Sequence, residues 1–554
     1  MAATVFDMLR PKALYPKTQV IQSVPAPIGG LNSKDALAAM PPTDAISLVN
    51  WIPDTFGIRC RKGYLEWAKN FPGNIAVESI MSWLGPATTI PGGTFLTDPT
   101  AMPGFLFAAT KTAVYNITSR TNAPAAAIAL SGADNAGWFI TSMLTNSAGS
   151  FLLACSEADG YFTFDGTAWL RRVAGAGAGQ ISGVDPNNLV HVLVWKRRAF
   201  FVERNSTRIW YLPVDAIAGT VAALDVGPLL KSGGSVAYVA NWTIDAGEGI
   251  DDILVIVGSN GDVLVYKGTD PTSAATFALV GSWYVGQIPI GRRAYTQYGG
   301  DLIIISADGV FPISYVTRGG AAFLQASSKE YTSKIRPSIG TDLRSSFTSR
   351  GWDMIVHPSE RIMVINVPNY GAVTKKQFCM STTQNSWCTF QDIPIYSLGS
   401  SVGYSFGGTP DGRVLLLFTG FFDNVLYGAS VGNGIRGVVQ PAFSNFDTPV
   451  LTKEFVMVRT NLLAAAAPSL QVGISVNYSI TTPIGTPSFA ASLNYLWDVA
   501  LWDAATWAGE LSVYSSWTTV GGVGFSGAAS LVSSTVADTV MTSVDYMAKV
   551  GGPL

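Results

Sequence analysis

A repeating hairpin rhythm between residues 75 and 446 is the feature that most constrains the fold of this chain. Short runs of β-branched or aromatic residues are followed by tight turns and then by second runs. Several of the turns are Asp-Gly or Asn-Gly, as at Asp159-Gly160, Asn260-Gly261 and Asp308-Gly309. Such pairs accept the positive φ angles that two-residue hairpin turns require. The spacing of roughly 45–60 residues matches a four-stranded propeller blade.

We count seven hairpin units, and six or eight blades also fit the pattern. Each blade would expose apolar faces that only its neighbours can cover, so the ring must close to be stable. The sequence therefore predicts an all-β chain built around an irregular β-propeller. The predicted hairpins cover residues 104–115, 151–169, 189–203, 253–266, 302–315, 352–367 and 404–418.

Punctuation by proline and glycine divides the chain into four predicted segments: an extended N-terminal arm (1–27), a turn-rich lead-in segment (28–74), the propeller (75–446) and a C-terminal β-sandwich-like domain (447–554). Prolines spoil a long helix or a central strand in the arm. We expect the arm to lie against another subunit. Dense tryptophan is typical of cores and interfaces, so we expect inter-subunit contacts at Trp497, Trp502 and Trp507.

The charge content is unusually low. Charged residues make up 13% of the chain and hydrophobic residues 48%, whereas about 25% charged is typical of soluble domains. This composition favours β-structure whose surfaces are covered by partners. The formal net charge is -2, which argues against a sequence-independent grip on nucleic acid.

The sequence contains one possible dinucleotide-binding motif and one possible acidic site, and the residues around each give it little support. Residues 432–437 match the pattern GxGxxG, but Val438-Val439-Gln440-Pro441 follows where a dinucleotide fold needs a helix. Glu248, Asp251 and Asp252 form the densest acidic group. Those acids fit a solvated loop, a calcium site or the paired carboxylates of a glycosidase.

The remaining polar candidates read as structural. His191 lies in an apolar run and His357 precedes Pro358, and neither has a GxSxG partner. We therefore predict no catalytic residue, no metal site and no cofactor. Basic pairs at Arg171-Arg172, Arg292-Arg293, Lys375-Lys376 and the triplet 196–198 read as solvated turns or as salt bridges between subunits.

Cysteine usage and hydropathy indicate a protein made in the cytoplasm. Cys60, Cys155, Cys379 and Cys388 form no CxxC pair, and a disulfide between the last two is left open. The N-terminus lacks the apolar core of a signal peptide. No window holds about 18 uninterrupted apolar residues, so no membrane segment is expected.

The stretch from Pro27 to Trp67 contains a series of motifs in a specific order. It opens on Gly29-Gly30, passes a short helical window that Pro41-Pro42 stops, reaches Asn50-Trp51 and closes with Arg59 to Tyr64. This order, GGLN…D…MP…DA…L.NW.P…R.GY, resembles the segment ahead of the β-propeller in tail nozzle proteins of short-tailed bacteriophages, the tail tubular protein B family. The plain alternative is a proline-rich arm ahead of any all-β domain.

The resemblance implies a structural virion protein of the podovirus tail hub rather than an enzyme. Six copies would form a ring below the head-to-tail adaptor protein. The bore of that ring would conduct and gate genomic DNA during ejection, without sequence-specific contact. Tail fibre or receptor-binding proteins would attach to its flank. The protein would be synthesised in the host cytoplasm and reside in the virion tail.

Two other functions stay open. A propeller-fold polysaccharide-degrading enzyme, either a glycosidase or a lyase, would carry paired carboxylates about 5–10 Å apart in a cleft. A monomeric sugar- or protein-binding propeller would carry a charged, self-sufficient surface, which the charge content of 13% disfavours. Neither the channel-lining residues nor the gate can be assigned from the sequence.

Overall fold

A computed structural model describes residues 18–85, 100–245, 250–273, 275–319, 331–368, 375–481, 483, 485 and 511–551. The described chain is almost entirely β-structure, with two short α-helices. Neither of these helices is long and apolar enough to cross a membrane. The chain divides into two compact units. The first comprises residues 1–62, 380–390 and 433–554, and the second comprises residues 63–379 and 391–432.

The strands are numbered in chain order. The first fourteen are β1 (Thr18–Pro25), β2 (Gly30–Leu31), β3 (Asp44–Val49), β4 (Trp51–Pro53), β5 (Ile58–Cys60), β6 (Tyr64–Ala68), β7 (Ser79–Trp83), β8 (Phe105–Ala109), β9 (Ala113–Asn116), β10 (Ala125–Ala129), β11 (Phe139–Asn146), β12 (Gly149–Ser156), β13 (Gly160–Phe164) and β14 (Trp169–Arg171). The next thirteen are β15 (Ile181–Ser182), β16 (Leu189–Trp195), β17 (Arg198–Glu203), β18 (Arg208–Tyr211), β19 (Gly219–Thr220), β20 (Ala222–Asp225), β21 (Val236–Asp245), β22 (Ile250–Gly258), β23 (Asp262–Gly268), β24 (Phe277–Tyr284), β25 (Tyr295–Tyr298), β26 (Asp301–Ser306) and β27 (Gly309–Pro312).

Two helices separate these strands from the rest, α1 (Ile313–Gly319) and α2 (Arg336–Ser346). The remaining strands are β28 (Asp353–His357), β29 (Ile362–Asn366), β30 (Lys376–Ser381), β31 (Ser386–Gln391), β32 (Ser397–Ser401), β33 (Tyr404–Gly408), β34 (Val414–Leu417), β35 (Phe422–Asp423), β36 (Asn433–Pro441), β37 (Lys453–Ala464), β38 (Ser469–Val476), β39 (Ser512–Gly524), β40 (Gly527–Thr535) and β41 (Thr539–Val550).

Over its described residues the second unit is a β-propeller with seven blades, and the predicted fold class is confirmed. The blades are β7–β10, β11–β14, β16–β18 with β20, β21–β24, β25–β27, β28–β30, and β32–β34 with β6. Each predicted hairpin falls in a different blade. Neighbouring strands within a blade are antiparallel and mostly consecutive, because tight turns join them.

The ring of blades is closed. β7 contacts β11, β11 contacts β16, and β16 contacts β21. The contacts continue from β21 to β26, from β25 to β28, from β28 to β32, and from β32 back to β7. Each blade therefore has a neighbour on both sides, which covers its apolar faces as the repeat pattern requires.

Closure depends on β6, which precedes the first blade in the sequence but pairs with β34 of the last. Leu65 lies opposite Leu416 in this pairing. Trp67 of β6 is fully buried, donates its indole Nε1 to the carbonyl of Ile117 at 2.7 Å, and packs edge-on against Phe406. Tyr64 to Ala68 fall within the predicted lead-in segment, because a pairing between such distant strands leaves no local signal in the sequence.

The Asp-Gly and Asn-Gly turns behave as their residue types predict. Gly160 has φ +79° and Gly261 has φ +97°. A Cβ atom on Gly160 would collide with the carbonyl of Pro186, and one on Gly261 would collide with the carbonyl of Gly286. These turns therefore need glycine for both conformation and space.

The fifth blade departs from the predicted pattern. The sequence predicts a strand through Tyr315, but α1 begins at Ile313. The reason is a cap from outside the helix, since the Asp301 carboxylate accepts a hydrogen bond from the Ser314 backbone amide at 3.1 Å. Such a bond satisfies one of the amides that a helix N-terminus leaves open.

The first unit is a β-sandwich assembled from three chain segments. One sheet has the order β39-β37-β41-β5-β4, with β1 also paired to β41, and the other contains β31-β3-β36-β40-β38. The Tyr546 hydroxyl accepts a hydrogen bond from the Ala529 amide at 2.9 Å, which links the two sheets. Phe455 packs directly on Gly527 between the same sheets.

The N-terminal arm folds on its own chain over its described part. β1 pairs antiparallel with β41, from Thr18 opposite Val550 to Pro25 opposite Ser543. The expectation that the arm lies against another subunit is therefore wrong for residues 18–25. Proline at the end of an outer strand removes no donor that the sheet needs, so Pro25 is compatible with this pairing.

Candidate functional site

The inner strands of the propeller surround a cavity of about 530 Å³. Its wall mixes apolar side chains, such as Met81 and Leu193, with polar ones, such as Asn241, Tyr295 and Gln297. A cavity of this size is typical of small-molecule sites. We take its wall and the charged residues that border it as the candidate functional site.

Arg293 is the centre of the charged residues. It lies in the loop before β25, and its side chain is only 14% exposed. The guanidinium donates to the carbonyl of Phe139 at 2.8 Å and to the carbonyl of Glu78 at 3.1 Å. It forms an ion pair with Asp353 at 3.4 Å and lies over the Trp138 ring, 4.8 Å from its centroid. One side chain of the fifth blade therefore contacts the first, second and sixth blades.

Arg292 makes a second set of links. Its Nε donates to Glu157 Oε1 at 2.6 Å, and its Nη1 donates to the carbonyl of Ala237 in β21. Arg350 reaches the other oxygen of Glu157 at 3.5 Å. Both side chains of the Arg292–Glu157 pair are 12% exposed. We call Glu78, Glu157, Arg292, Arg293 and Asp353 the axial clamp.

Burial shifts the carboxyl pKa values in the axial clamp. Desolvation raises the pKa of Glu78 to about 7, although the Gly137 amide and the charge of Arg293 act in the opposite direction. Desolvation also raises the pKa of Asp353, against the charge of Arg293 and a hydrogen bond from the Leu398 amide. Glu78 can therefore exchange a proton near neutral pH.

A buried aromatic group borders the same cavity. His191 is fully buried, and burial lowers its pKa well below the ordinary range. Its Nε2 is 3.4 Å from the Tyr295 hydroxyl, and Tyr295 stacks on Tyr238 with ring centroids 4.6 Å apart. Burial raises the pKa of both tyrosines. These groups are neutral at physiological pH and serve as packing and hydrogen-bonding residues.

The bonding of the charged residues in the axial clamp favours a structural role for them. Desolvating an ion is costly unless it is paired and hydrogen-bonded, and here each arginine has both an acid and backbone carbonyls as partners. The partners come from four other blades, so the two arginines join the fifth blade to its sequence neighbours, the fourth and the sixth, and to the distant first and second blades. The arrangement fastens the ring across its axis.

The predicted basic residues have partners within the chain, and Arg197 lies in an exposed turn as predicted, whereas Arg292 and Arg293 are largely buried. Arg292 and Arg293 are the strongest correction, because a polar pair in a glycine-rich loop gave no sign of burial. Arg172 donates to Thr163 at 3.0 Å and to the carbonyl of Gly179 at 2.9 Å. The other partners are the carboxylates of Asp215 for Arg197, Asp270 for Arg198 and Asp342 for Lys376.

The acidic group of the sequence analysis is only partly described. Glu248 and the side chain of Asp251 lie outside the described residues. Asp252 Oδ1 accepts a hydrogen bond from the Thr243 hydroxyl at 2.9 Å. Among the described residues, no three His, Cys, Asp or Glu side chains are grouped as metal ligands.

The other sequence candidates have structural surroundings. His357 ends β28, is buried, and its Nδ1 is 2.8 Å from the Ser405 hydroxyl. The GxGxxG match falls largely within β36, a single strand, so it lacks the turn and helix of a dinucleotide site. The four cysteines are buried thiols, and Cys379 forms no disulfide with Cys388. Trp497, Trp502 and Trp507 lie outside the described residues.

The residues that carried the family resemblance converge in the first unit. Asn32 donates to the buried Asp44 carboxylate at 2.8 Å. Asn50, held at φ +60°, donates to the carbonyl of Arg436 at 2.7 Å and accepts from Arg61 Nε at 2.8 Å. Arg61 is fully buried and Trp51 nearly so. The motif thus forms two hydrogen-bonded pairs, Asn32 with Asp44 and Asn50 with Arg61, which we call the nucleus of the sandwich.

Glu78, Glu157 and Asp353 are site residues that the sequence pattern does not predict. Glu78 and Asp353 are single acids that directly precede or begin apolar strands, and Glu157 directly follows one. An isolated acid in that setting is a signal of a buried ion pair. The position of its partner depends on the closed ring.

Comparisons with known proteins identify no family for this chain, since no family model and no curated protein matches it. The computationally designed Ika8 protein is 11% identical over 67% of this chain and 99% of that one, with a TM-score of 0.32. Sqt1 of Saccharomyces cerevisiae is 11% identical over 68% and 96%, with a TM-score of 0.36. Raptor of Chaetomium thermophilum is 11% identical over 65% and 28%, with a TM-score of 0.36. Similarity at this level identifies no relative, and the chain is described by its class, an all-β propeller protein.

Proposed function

We propose that this chain is the structural subunit of a tail nozzle of the type found in short-tailed bacteriophages. In this proposal about six copies form a ring below the head-to-tail adaptor, and the ring conducts and gates the genome during ejection. The protein acts without catalysis or cofactor, resides in the virion tail, and offers its flank to tail fibre or receptor-binding proteins.

The observation that carries the proposal is the nucleus formed by the resemblance motif. The lead-in segment contributes two buried hydrogen-bonded pairs, Asn32 with Asp44 and Asn50 with Arg61, to one sandwich. The same stretch runs directly into β6, the strand that closes a seven-bladed propeller. The lead-in segment thus precedes a propeller, as in the nozzle family, and its motif residues form buried hydrogen bonds.

The propeller cavity also bears on the proposal. A volume of about 530 Å³ accommodates a small molecule and not duplex DNA. Arg292 and Arg293 additionally bind several blades together beside this cavity. A DNA channel therefore has to be formed between copies, as a nozzle ring requires, and not through the axis of one propeller.

The test is the mass of the purified full-length chain in solution, alone and mixed with the adaptor and other tail proteins of a short-tailed phage, followed by electron microscopy. We expect a closed ring of about six copies, either directly or on the adaptor. A chain that stays monomeric and is recruited by no tail component contradicts the proposal. In that case the same preparation is assayed for cleavage of capsular polysaccharide and lipopolysaccharide, which the alternative enzymatic function requires.

A further inference from the structure

A second, smaller cavity lies beside the axial clamp, and we call it the clamp cavity. Its volume is about 20 Å³, which is enough for one atom-sized ligand. Its lining comes from the second blade around β11 and β12, from the loop before β25, and from the loop between α2 and β28. The lining residues with polar side-chain atoms are Trp138, Glu157, Arg292, Arg293, Arg350 and Trp352.

Trp138 brings a buried donor without an acceptor to this cavity. The residue is only 6% exposed, and its indole Nε1 has no hydrogen-bond partner in the chain. An indole nitrogen can only donate, and a buried donor left unpaired is costly. Trp352 differs, because its Nε1 donates to the carbonyl of Ser346 at 3.1 Å. One indole donor at the clamp cavity therefore lacks a protein acceptor.

The arginines of the lining add a second donor and positive charge. Arg292 bonds through Nε to Glu157 and through Nη1 to the carbonyl of Ala237, but its Nη2 donates to no described residue. Arg293 contributes its charge, because its nitrogens already donate to several oxygens, including the carbonyl of Phe139. Its guanidinium lies 4.8 Å from the centroid of the Trp138 ring. The unpaired indole donor is thus close to a buried cation.

Acceptors are scarce around the same cavity. Of the described residues that line it, only Glu157 has a side-chain acceptor, and its two oxygens already contact Arg292 at 2.6 Å and Arg350 at 3.5 Å. The three guanidinium groups thus face one carboxylate in the lining, and Asp353 offsets Arg293 from outside it. Burial raises the pKa of Glu78, the remaining acid of the axial clamp, to about 7. Below that pH, positive charge is therefore in excess at the cavity.

We propose that the clamp cavity binds one small inorganic anion of the size of chloride, with Trp138 and Arg292 as its hydrogen-bond donors. A halide accepts from several donors at once, and hydrogen bonds from a cation to an anion are stronger than neutral ones. A water molecule would instead need acceptors for its own hydrogens, and Glu157 is already engaged. The anion would join the second, fifth and sixth blades. This site goes beyond the proposed function, because it needs no second copy of the chain.

The test follows thermal unfolding of the full-length chain at about pH 6 while chloride replaces gluconate at constant ionic strength. Gluconate is too large for a cavity of about 20 Å³, and constant ionic strength keeps the screening of charges equal. A ligand that binds only the folded chain stabilises it in proportion to the logarithm of its concentration above Kd. We expect the melting temperature to rise in this way with chloride. The line width of the chloride-35 NMR signal reports binding directly.

Three variants locate the effect. Trp138→Phe deletes the indole donor and keeps an aromatic ring beside Arg293. Trp169→Phe is the matched control, because Trp169 also has a buried Nε1 without a partner but does not line the clamp cavity. Arg350→Gln removes one charge at a side chain that is 31% exposed, so this variant should fold even if Trp138→Phe does not. The two cavity variants should raise the Kd for chloride roughly tenfold or more, and the control should leave it unchanged.

Each outcome decides the proposal. Loss of the chloride response in Trp138→Phe and Arg350→Gln, with the response kept in Trp169→Phe, supports the site. A parent chain that does not respond to chloride, or responds only near molar concentration, overturns it, since the cavity then holds water only. An equal response in the parent and all variants also overturns it, because the effect then comes from salt acting elsewhere. If Trp138→Phe does not fold, Arg350→Gln decides alone. None of these measurements depends on ring assembly, so the nozzle proposal stands or falls separately.

Discussion

Arg293 and Asp353 form an ion pair at 3.4 Å between the loop that leads into the fifth blade and the first strand of the sixth. Asp353 also accepts a hydrogen bond from the Leu398 amide of the seventh blade at 3.0 Å. The pair therefore connects three successive blades. Both side chains are buried, so each depends on the other for the compensation that water would otherwise provide.

Removing the arginine should destabilise the propeller strongly. Arg293→Met keeps much of the side-chain volume but leaves the Asp353 charge buried without its partner. We expect the free energy of unfolding to fall by about 3–5 kcal/mol, measured by urea unfolding. Arg197→Ala is the matched control, because Arg197 is 72% exposed in its pair with Asp215, and exposed pairs contribute at most about 1 kcal/mol. Equal losses in both variants would contradict the clamp.

Glu78 should make stability depend on pH near neutrality. Its folded-state pKa of about 7 lies above the ordinary value of 4.5 because of burial. Between these values the folded state binds the proton more tightly than the unfolded state does. Stability should therefore fall as pH rises from about 4.5 to about 7 and change no further from this group above that range, by up to about 3 kcal/mol.

Glu78→Gln is the variant that isolates this effect. It retains an oxygen that can accept from the Gly137 amide, but it cannot ionise. The difference in unfolding free energy between the variant and the parent should increase in favour of the variant as pH rises towards 7. Parallel pH profiles of the two proteins would show that Glu78 is not the responsible group.

Asn50 should be a critical residue of the sandwich nucleus. Asn50→Ala removes the bond to the Arg436 carbonyl and the acceptor for buried Arg61, and it places alanine at φ +60°. We expect a loss of about 3 kcal/mol or more in unfolding free energy. Asn205→Ala serves as the control, because Asn205 is exposed and has φ +51°. It should lose only about 1 kcal/mol.

The link between the two sheets of the sandwich can be tested at one atom. Tyr546→Phe deletes the hydroxyl that accepts from the Ala529 amide and leaves that buried amide without its partner. The expected cost is about 1–3 kcal/mol in thermal or urea unfolding. Tyr478→Phe, at a position that is 43% exposed, should change stability by less than about 0.5 kcal/mol. A neutral Tyr546→Phe would mean that the link contributes nothing.

The burial of Arg292 and Arg293 in the candidate site could not be predicted from the sequence. Arg292-Arg293 stands out in the sequence, but its glycine-flanked setting predicts an exposed turn. The structure buries both arginines because acids and carbonyls from other blades converge on them. Glu78 and Asp353 have no sequence neighbour that reveals their partners. Long-range convergence of this kind cannot be read from spacing along one chain.

The sequence by itself determined what depends on neighbours along the chain. Alternating strands and Asp-Gly or Asn-Gly turns specify the hairpins, and seven hairpins of blade length specify the propeller class. Only the tertiary structure decided which distant strands meet. Ring closure by β6 and pairing of β1 with β41 rest on contacts between residues hundreds of positions apart. Local backbone preferences act over a few residues, whereas these pairings are selected by the burial that the finished ring and sandwich provide.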